Sequence, residues 1–359
     1  MKERTELAGP ENRIYHCMTS VRQFLIIFGG WSHSTNKNFN ELWIYNTINS
    51  VWKRYNAPIE TENTCAYSCI CAVGYIVYIF GMTVHRFIGG ATNCFVSFDI
   101  SKRTWQNLSP RTIDDCQYKP RPMYGHFIFY LNGSLYILGQ AENRGYVDTL
   151  LTFCLKTSKW SLVPQNGKPP IIEHGIFGTV FKNQIYVFGG YPITGTNRFR
   201  DVTIFDFSTN TWSTRGTSPK TKLYPHDRVN ESFAFSSNFG YLCGGESSKG
   251  YHYDIWRIDL ETLEWLKLDY SLKNGLKFNS MSVVDDSYLY SFGGRRNADD
   301  ILNTFEMFTV QPPSLYHLCL ESISRSPRFR NRANSLPIAF QDDLNLDNND
   351  SSFYVNTFF

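Results

Sequence analysis

The residues best suited to ligand binding are cations that follow six apolar, glycine-ended segments of the chain. Guanidinium groups bind carboxylates through two parallel hydrogen bonds, and aromatic and hydroxyl side chains nearby can complete such a site. The cations are Lys37, Arg86, Arg144, Arg198, Arg200, Lys249, Arg295 and Arg296. Their aromatic and hydroxyl neighbours are Trp31, Tyr146, Tyr191, Tyr251, Ser247 and Ser248. We predict that this set forms an anion-binding surface, although any single arginine is better explained as a solvated loop cation.

The segments that carry these residues recur along the chain. Five tryptophans follow one another at intervals of 52 to 55 residues: Trp52, Trp105, Trp160, Trp212 and Trp265. Six apolar runs end at Gly30, Gly81, Gly139, Gly190, Gly245 and Gly294. A period near fifty residues is typical of a propeller built from four-stranded blades, and antiparallel strands place the long loops on one face. The sequence therefore predicts an all-β, six-bladed propeller over residues 12–310.

The last repeat is incomplete, because it supplies three strands and no tryptophan strand. We expect the N-terminal segment, about Met1–Pro10, to pair as the missing outer strand and so to remove an open sheet edge. The alternative is a blade of only three strands. Residues 311–344 follow the propeller, and residues 345–359 are polar and rich in Asn and Asp, which favours disorder.

Composition limits the classes of function. A formal net charge of +3 is too small to indicate nucleic-acid binding. The first ten residues contain no apolar core typical of a signal peptide, and no apolar run is long enough to span a bilayer. Nine cysteines without a secretion signal indicate reduced thiols and a cytoplasmic or nuclear location.

Catalytic and metal-binding patterns are missing from the sequence. Cys65, Cys69 and Cys71 alternate along a strand without a CxxC pair or a histidine neighbour, so we expect neither a metal nor a cofactor. Propeller enzymes such as sialidases and copper-radical oxidases are the enzymatic alternative. SxDxGxxW repeats are lacking, and the histidines are scattered (His33, His85, His126, His174, His226 and His252). The sequence predicts a non-catalytic protein.

A short helix is predicted directly after the propeller. Pro312-Pro313 ends the last strand, and Ser314 is a favourable N-cap. One face of the helix would carry Leu315, Leu318, Cys319, Ser322 and Ile323. About nine residues are too few for a stable isolated helix, so it needs a surface to lie on.

The repeats resemble those of the kelch family. The shared features are the diglycines, the spaced tryptophans and third strands of the type ELWIYN, DVTIFDF and DIWRIDL, which together cover about residues 12–310. Gly81-Met82 and Gly139-Gln140 replace two diglycines, so the second and third repeats are degenerate.

The tail resembles two boxes found in substrate receptors of ubiquitin ligases. Ser314, Leu315, Cys319 and Ile323 match the box that binds elongin C, with Leu318 on the same face. Leu336, Pro337, Phe340 and Leu344 match the box that selects cullin-2. The alternative is a helix that merely caps the propeller beneath blade six.

Together these features are similar to kelch-repeat substrate receptors of cullin-2 ligases, and the likeness is best in Tyr224–Arg228, Asp254–Leu268 and the tail. The resemblance implies a non-catalytic adaptor whose partners are elongin B, elongin C, cullin-2 and substrates recognised by their C-termini. It also implies that Arg198 and Arg200 bind the terminal carboxylate. The fifth repeat lacks the usual R-x-x-H-S, which leaves the substrate open. A kelch scaffold without a ligase role is the rival interpretation.

Overall fold

Six sheets, antiparallel apart from one short parallel pairing in blade five, form the six predicted blades of a propeller. The computed structural model describes residues 9–32, 34–62, 64–82, 93–108, 120, 123–141, 148–170, 175–190, 198–297 and 300–326, and the statements below concern these residues. The innermost strands of neighbouring blades lie against one another, including those of blades six and one, and between blades four and five the rings of Phe177 and Phe233 pack at 5.2 Å.

Blades one to four each contain four strands, because β-branched and aromatic residues dominate these segments and glycine or polar turns separate them. Blade one begins with β1 (Cys17–Val21) and β2 (Phe24–Phe28). The chain then forms a separate two-stranded hairpin of β3 (Trp31–Ser32) and β4 (Lys37–Asn38), and β5 (Glu41–Asn46) and β6 (Val51–Asn56) complete the four strands of the blade. A 3-10 turn, Ile59–Thr61, leads to blade two, which contains β7 (Cys69–Val73), β8 (Ile76–Met82), β9 (Asn93–Asp99) and β10 (Thr104–Asn107). Blade three contains β11 (Met123–Leu131), β12 (Ser134–Ala141), β13 (Asp148–Cys154) and β14 (Lys159–Leu162). Blade four contains β15 (Ile176–Phe181), β16 (Gln184–Gly189), β17 (Asp201–Asp206) and β18 (Thr211–Gly216).

Blade five is larger and blade six smaller. Blade five contains β19 (Ser218–Pro219), β20 (Val229–Phe235), β21 (Phe239–Ser247), β22 (Gly250–Tyr251), β23 (Asp254–Asp259) and β24 (Glu264–Ser271). Blade six contains β25 (Ser280–Val284), β26 (Tyr288–Phe292) and β27 (Phe305–Thr309), and α1 (Leu315–Arg325) follows it. The expected closing strand concerns residues 1–10, of which 1–8 lie outside the described residues, so that expectation stays a prediction. The tail 345–359 also lies outside them.

The core consists of apolar clusters between adjacent blades, and the spaced tryptophans belong to them. Trp265 is fully buried, and its indole donates to the carbonyl of Phe199 over 2.9 Å. Trp105 of blade two packs against Phe28 of blade one with ring centroids 6.2 Å apart. The tryptophan period in the sequence thus reports a packing position that recurs from blade to blade.

Blades one and five share a buried ion-pair motif that fixes the diglycine turn. Arg13 donates to the carbonyl of Gly29 and to Glu41, which also accepts from the indole of Trp43. Arg228 makes the corresponding bonds to Gly244 and Asp254, and Trp256 donates to the same carboxylate. Burial by itself would raise the pKa of Glu41 and of Asp254, but these hydrogen bonds and the arginine charges hold both pKa values below the usual range.

Glycine is required at the turn that these arginines bind. Gly29 has φ +70°, and a Cβ there would lie 1.9 Å from the carbonyl oxygen of Cys65. A larger residue would therefore clash with the backbone that enters blade two. Among the described residues, no helix is both long enough and apolar enough to cross a bilayer.

Candidate functional site

The bottom face of the propeller carries α1, and one side of the helix is docked there. Ser314 caps the helix, accepting from the backbone N–H of His317, and donates to Asp285 in the β25–β26 turn over 2.6 Å. His317 packs on the ring of Tyr288 at 4.8 Å. Ser324 donates to the carbonyl of Ile48 in blade one. The helix therefore bridges blade six and blade one.

The opposite side of α1 is the one that carries the predicted elongin-binding residues. Leu315 is 82% exposed and Leu318 43% exposed, and Cys319 is an exposed free thiol. Ile323 is half-buried, while Leu320 on the docked side is 1% exposed. We call Leu315, Leu318 and Cys319 the apolar stripe. A capping role beneath blade six accounts for the docked side, but it does not account for the stripe. Leu336, Pro337, Phe340 and Leu344 lie outside the described residues.

The top face surrounds the mouth of the central channel, and its lining differs around the ring. The pairing registers Cys17↔Phe28, Cys69↔Phe80 and Ser280↔Phe292 place Tyr15, Tyr67 and Phe278 at equivalent positions just before the innermost strands of blades one, two and six. The same position is Asn230 in blade five and glycine in blades three and four.

Tyr15 touches both Tyr67 and Phe278, and we call these three residues the aromatic shelf. The rings of Tyr15 and Tyr67 stack at 4.0 Å, and Phe278 meets Tyr15 edge-on at 4.7 Å. Trp31 continues the shelf outward, stacking on Tyr15 at 6.4 Å. Tyr67 is 44% exposed, so the shelf offers open aromatic surface at the mouth.

Two cations adjoin the shelf, and only one of them is neutralised. Lys277 lies 5.5 Å from the ring centroid of Phe278 and forms an ion pair with Glu246 at 2.6 Å. The half-buried Arg295 lies 5.2 Å from the same centroid. Within the described ranges Arg295 has no carboxylate partner, and its Nε is buried without a hydrogen bond. Burial and the hydrogen bond with Tyr15 raise the pKa of Tyr67, whereas the charge of Arg295 acts to lower it.

Arg198 is brought to the top of blade five, where both terminal nitrogens of its guanidinium already have partners and its Nε is buried without a hydrogen bond. It forms an ion pair with Glu231 at 2.7 Å, with the two side chains 6% and 1% exposed, and it donates to the carbonyl of Arg228. Burial raises the pKa of Glu231 even though Arg198 acts to lower it. A substrate carboxylate would have to displace Glu231 to reach Arg198.

The other predicted substrate contacts are dispersed. Arg200 is exposed and rests on the ring of Tyr224 at 4.3 Å. Ser247 accepts from the backbone of Lys249 and lies 2.9 Å from Nε2 of His252. Arg86, Arg144, Tyr146 and Tyr191 lie outside the described residues. Of the predicted set, the structure brings Arg295 and Trp31 to one side of the mouth and Arg198 to the other, and their binding role stays a prediction.

Ser247, His252 and Asp254 lie in the order of a catalytic triad, but the geometry does not suit catalysis. Nδ1 of His252 is 3.9 Å from Asp254, too far for a hydrogen bond. Both carboxylate oxygens of Asp254 already accept from Arg228 or Trp256. Burial, with the charge of Arg228, lowers the pKa of His252 to about 4, so the imidazole is a weak base at neutral pH.

Metal binding finds no support in the described part of the chain, where no group of three or more His, Cys, Asp or Glu side chains is placed to hold an ion. Burial raises the pKa of Cys65 to about 11 and that of Cys71 to about 12, so both thiols stay protonated.

Sequence reasoning missed Glu231 and the aromatic shelf. The shelf residues lie two positions before Cys17, Cys69 and Ser280, which pair with the last residue before each glycine turn. This shared position becomes recognisable only when the repeats are aligned on their strand register.

The chain resembles known kelch proteins over most of its length. The family described as "KLHDC2/KLHL20/DRC7 Kelch-repeats domain" matches residues 1–139 and 125–336. Kelch domain-containing protein 10 of Homo sapiens is 25% identical over 341 residues, which cover 90% of this chain and 76% of that protein. The Xenopus tropicalis protein of the same name is 24% identical over 331 residues, covering 88% of this chain and 79% of that protein.

A second group of relatives carries a related name. Kelch domain-containing protein 2 of Homo sapiens is 27% identical over 366 residues, covering 89% of this chain and 86% of that protein. The matches to both groups of relatives cover most of this chain.

Proposed function

Because the chain belongs to the kelch-repeat family, we propose that it is the substrate-recognition subunit of a cullin-2–elongin B/C ubiquitin ligase. In this role the protein performs no chemistry. The tail binds elongin C and cullin-2, and the top face of the propeller binds the C-terminal degron of a substrate.

The observation that carries the proposal is the apolar stripe on α1. An exposed leucine costs free energy in water, roughly 1.5–3 kcal/mol relative to burial, and an exposed stripe on a docked helix indicates a partner surface. Leu315 projects furthest and would fill a pocket as the anchor, while the small Cys319 lets a partner helix approach closely.

The docking of α1 also favours this role. The short helix gains its stability from the propeller through His317, Leu320 and Ser324, so the stripe is held in helical form before any partner arrives. A preformed recognition helix avoids the entropic cost of folding on binding. A kelch scaffold without a ligase role remains the alternative, and it has no need of the stripe.

Substrate binding is assigned to the top face because the channel mouth there combines cations with exposed aromatic surface. A chain terminus differs from internal sequence by its free carboxylate, which arginine recognises with directional hydrogen bonds. The same face is turned away from α1, so substrate and ligase components would not compete for space.

The test is capture of partners from cells by the tagged full-length chain. We expect elongin B, elongin C and cullin-2 to be recovered with the wild type and lost when Leu315 and Cys319 are both changed to serine. Tyr316→Ser is the matched control, since Tyr316 lies on the same helix outside the predicted box. Failure of the wild type to recover elongin would favour the scaffold.

A second variant separates the two boxes. Changing Leu336 and Pro337 to alanine should reduce recovery of cullin-2 while leaving elongin B and elongin C unchanged. Loss of all three partners would contradict the assignment of residues 336–344 to cullin-2 alone.

A further inference from the structure

We propose that Arg295, resting on the aromatic shelf of Tyr15, Tyr67 and Phe278, is the residue that receives the terminal carboxylate of the substrate. The inference rests on the proposed function and deepens it, because it assigns the anion to the blade six side of the mouth. Arg198, the residue singled out by resemblance, lies on the blade five side.

The first argument is charge balance. Arg13, Arg198 and Arg228 are each buried beside a carboxylate that neutralises them. Lys277, beside Arg295, is neutralised by Glu246. Arg295 is half-buried and has no such partner in the ranges that the structure describes. An incoming carboxylate gains the full attraction of Arg295, whereas at Arg198 it must first displace Glu231.

The second argument is the setting of the guanidinium. Aromatic rings around an arginine exclude water and so strengthen its hydrogen bonds to an anion. Phe278 lies against Arg295 and meets Tyr15 edge-on, and Tyr15 stacks on Tyr67. The Nε is buried without a hydrogen bond in both Arg295 and Arg198, but the terminal nitrogens of Arg198 are taken by Glu231 and by the carbonyl of Arg228. A carboxylate could therefore bind Nε and a terminal nitrogen of Arg295 together.

The third argument concerns the class of substrate. The exposed ring of Tyr67 and the half-buried Trp31 offer flat apolar surface beside the anion position. They suit a chain whose last residues carry planar or apolar side chains, whereas a basic terminus would be repelled by Arg295 and Lys277. The predicted ligand is a protein C-terminus of this kind.

Peptide binding by the full-length protein tests the proposal. The probes are fluorescein-labelled peptides with a common Gly/Ser-rich spacer, in which the last two residues are varied across all amino acids. Each is made as the free acid and as the C-terminal amide, and an amidated set with aspartate near the end distinguishes a terminal carboxylate from a side-chain one. Fluorescence anisotropy gives the affinities.

We expect a subset of free-acid peptides with planar or apolar ends to bind the wild type, and amidation to weaken them about tenfold to a hundredfold, as loss of a charge-assisted bond would. Arg295→Gln should abolish the difference between acid and amide. Tyr67→Ala should weaken the apolar-ended acids while preserving part of that difference. Arg257→Gln is the matched control, because Arg257 also rests on a ring, that of Phe239 at 4.4 Å, but lies in β23 away from the mouth.

The outcomes separate this inference from the ligase role. Elongin capture is measured on every variant, so a misfolded protein is recognised, and Arg295→Lys provides a milder change that keeps the charge. A retained preference for acids in Arg295→Gln, or its loss in Arg198→Gln alone, would overturn the assignment. So would a wild type that captures elongin but prefers no free acid. If the wild type captures no elongin, the result would instead contradict the proposed function itself.

Discussion

At the scale of residues, the arginines of this chain divide by whether a carboxylate is built in beside them. Arg13 and Arg228 organise the diglycine turns of blades one and five through buried pairs with Glu41 and Asp254. These arginines are therefore structural, although their residue type alone would equally suit ligand binding. Local sequence could not distinguish the two classes, because each partner acid lies about 26 to 28 residues away along the chain.

Removing one member of such a pair should be costly. Arg13→Leu leaves the buried Glu41 with the Trp43 indole and the half-exposed Arg54 as its partners, and we expect the free energy of unfolding to fall by about 2–3 kcal/mol. Urea denaturation followed by tryptophan fluorescence measures it. Lys102→Ala, which breaks the exposed pair with Asp99, is the control and should change little. Equal effects of the two changes would contradict the structural role of Arg13.

Acid should destabilise the fold through His16. Burial, with the charge of Arg13, lowers the pKa of His16 from 6.5 to about 3. Between these values the unfolded chain binds a proton that the folded chain does not, so the free energy of unfolding falls as the pH falls, by roughly 2 kcal/mol at pH 5. His252 acts in the same direction. Urea denaturation at pH 7 and pH 5 measures this fall in the free energy of unfolding. We expect the fall to be smaller in His16→Gln than in the wild type, by roughly that amount. An equal loss of stability in His16→Gln and in the wild type would contradict this role of His16.

At the scale of elements, α1 shows which features a sequence pattern can and cannot reveal. The N-cap Ser314 and the start of the helix at Leu315 were predictable, because capping and proline placement act locally. The side that faces the propeller was not, because it depends on Asp285, Tyr288 and Ile48, which belong to two different blades. The six blades were predictable from the repeat, since each blade uses the same pattern of strand, glycine turn and tryptophan.

The segments that link successive blades lie along outer strands, and this arrangement predicts a position for the N-terminus. Asn166 bridges to Thr211 and β19 pairs with β24, so the chain leaving one blade lies along the outer strand of the next. Gly9 repeats this arrangement, since a Cβ on it would meet the indole of Trp52 in blade one at 2.9 Å. By this analogy we predict that residues 1–8 belong to an outer strand of blade six.

Deletion of residues 1–8 should therefore lower the melting temperature, because it would leave the edge of β27 unpaired. Differential scanning calorimetry measures the change. Deletion of residues 345–359, which composition predicts to be disordered, is the matched control and should leave the melting temperature unchanged. A melting temperature unaffected by the N-terminal deletion would favour a blade of three strands.

At the scale of the whole molecule, the two candidate surfaces lie at opposite ends of the same strands. Phe278 precedes β25 and Asp285 follows it, so the aromatic shelf and the docking turn of α1 are roughly 20 Å apart at about 3.3 Å per residue. The ring fixes this separation, and α1 joins its first and last blades. The architecture suits an adaptor that holds a substrate on one face and a ligase on the other.

The affinity of the purified chain for the purified elongin B–elongin C pair tests the central claim most directly. Isothermal titration calorimetry should detect a complex with the wild type. Leu315→Ser should weaken it by at least 2 kcal/mol, or about thirtyfold, as expected for an anchor residue, while Tyr316→Ser retains most of the affinity. No binding by the wild type, or equal binding by Leu315→Ser, would contradict the account.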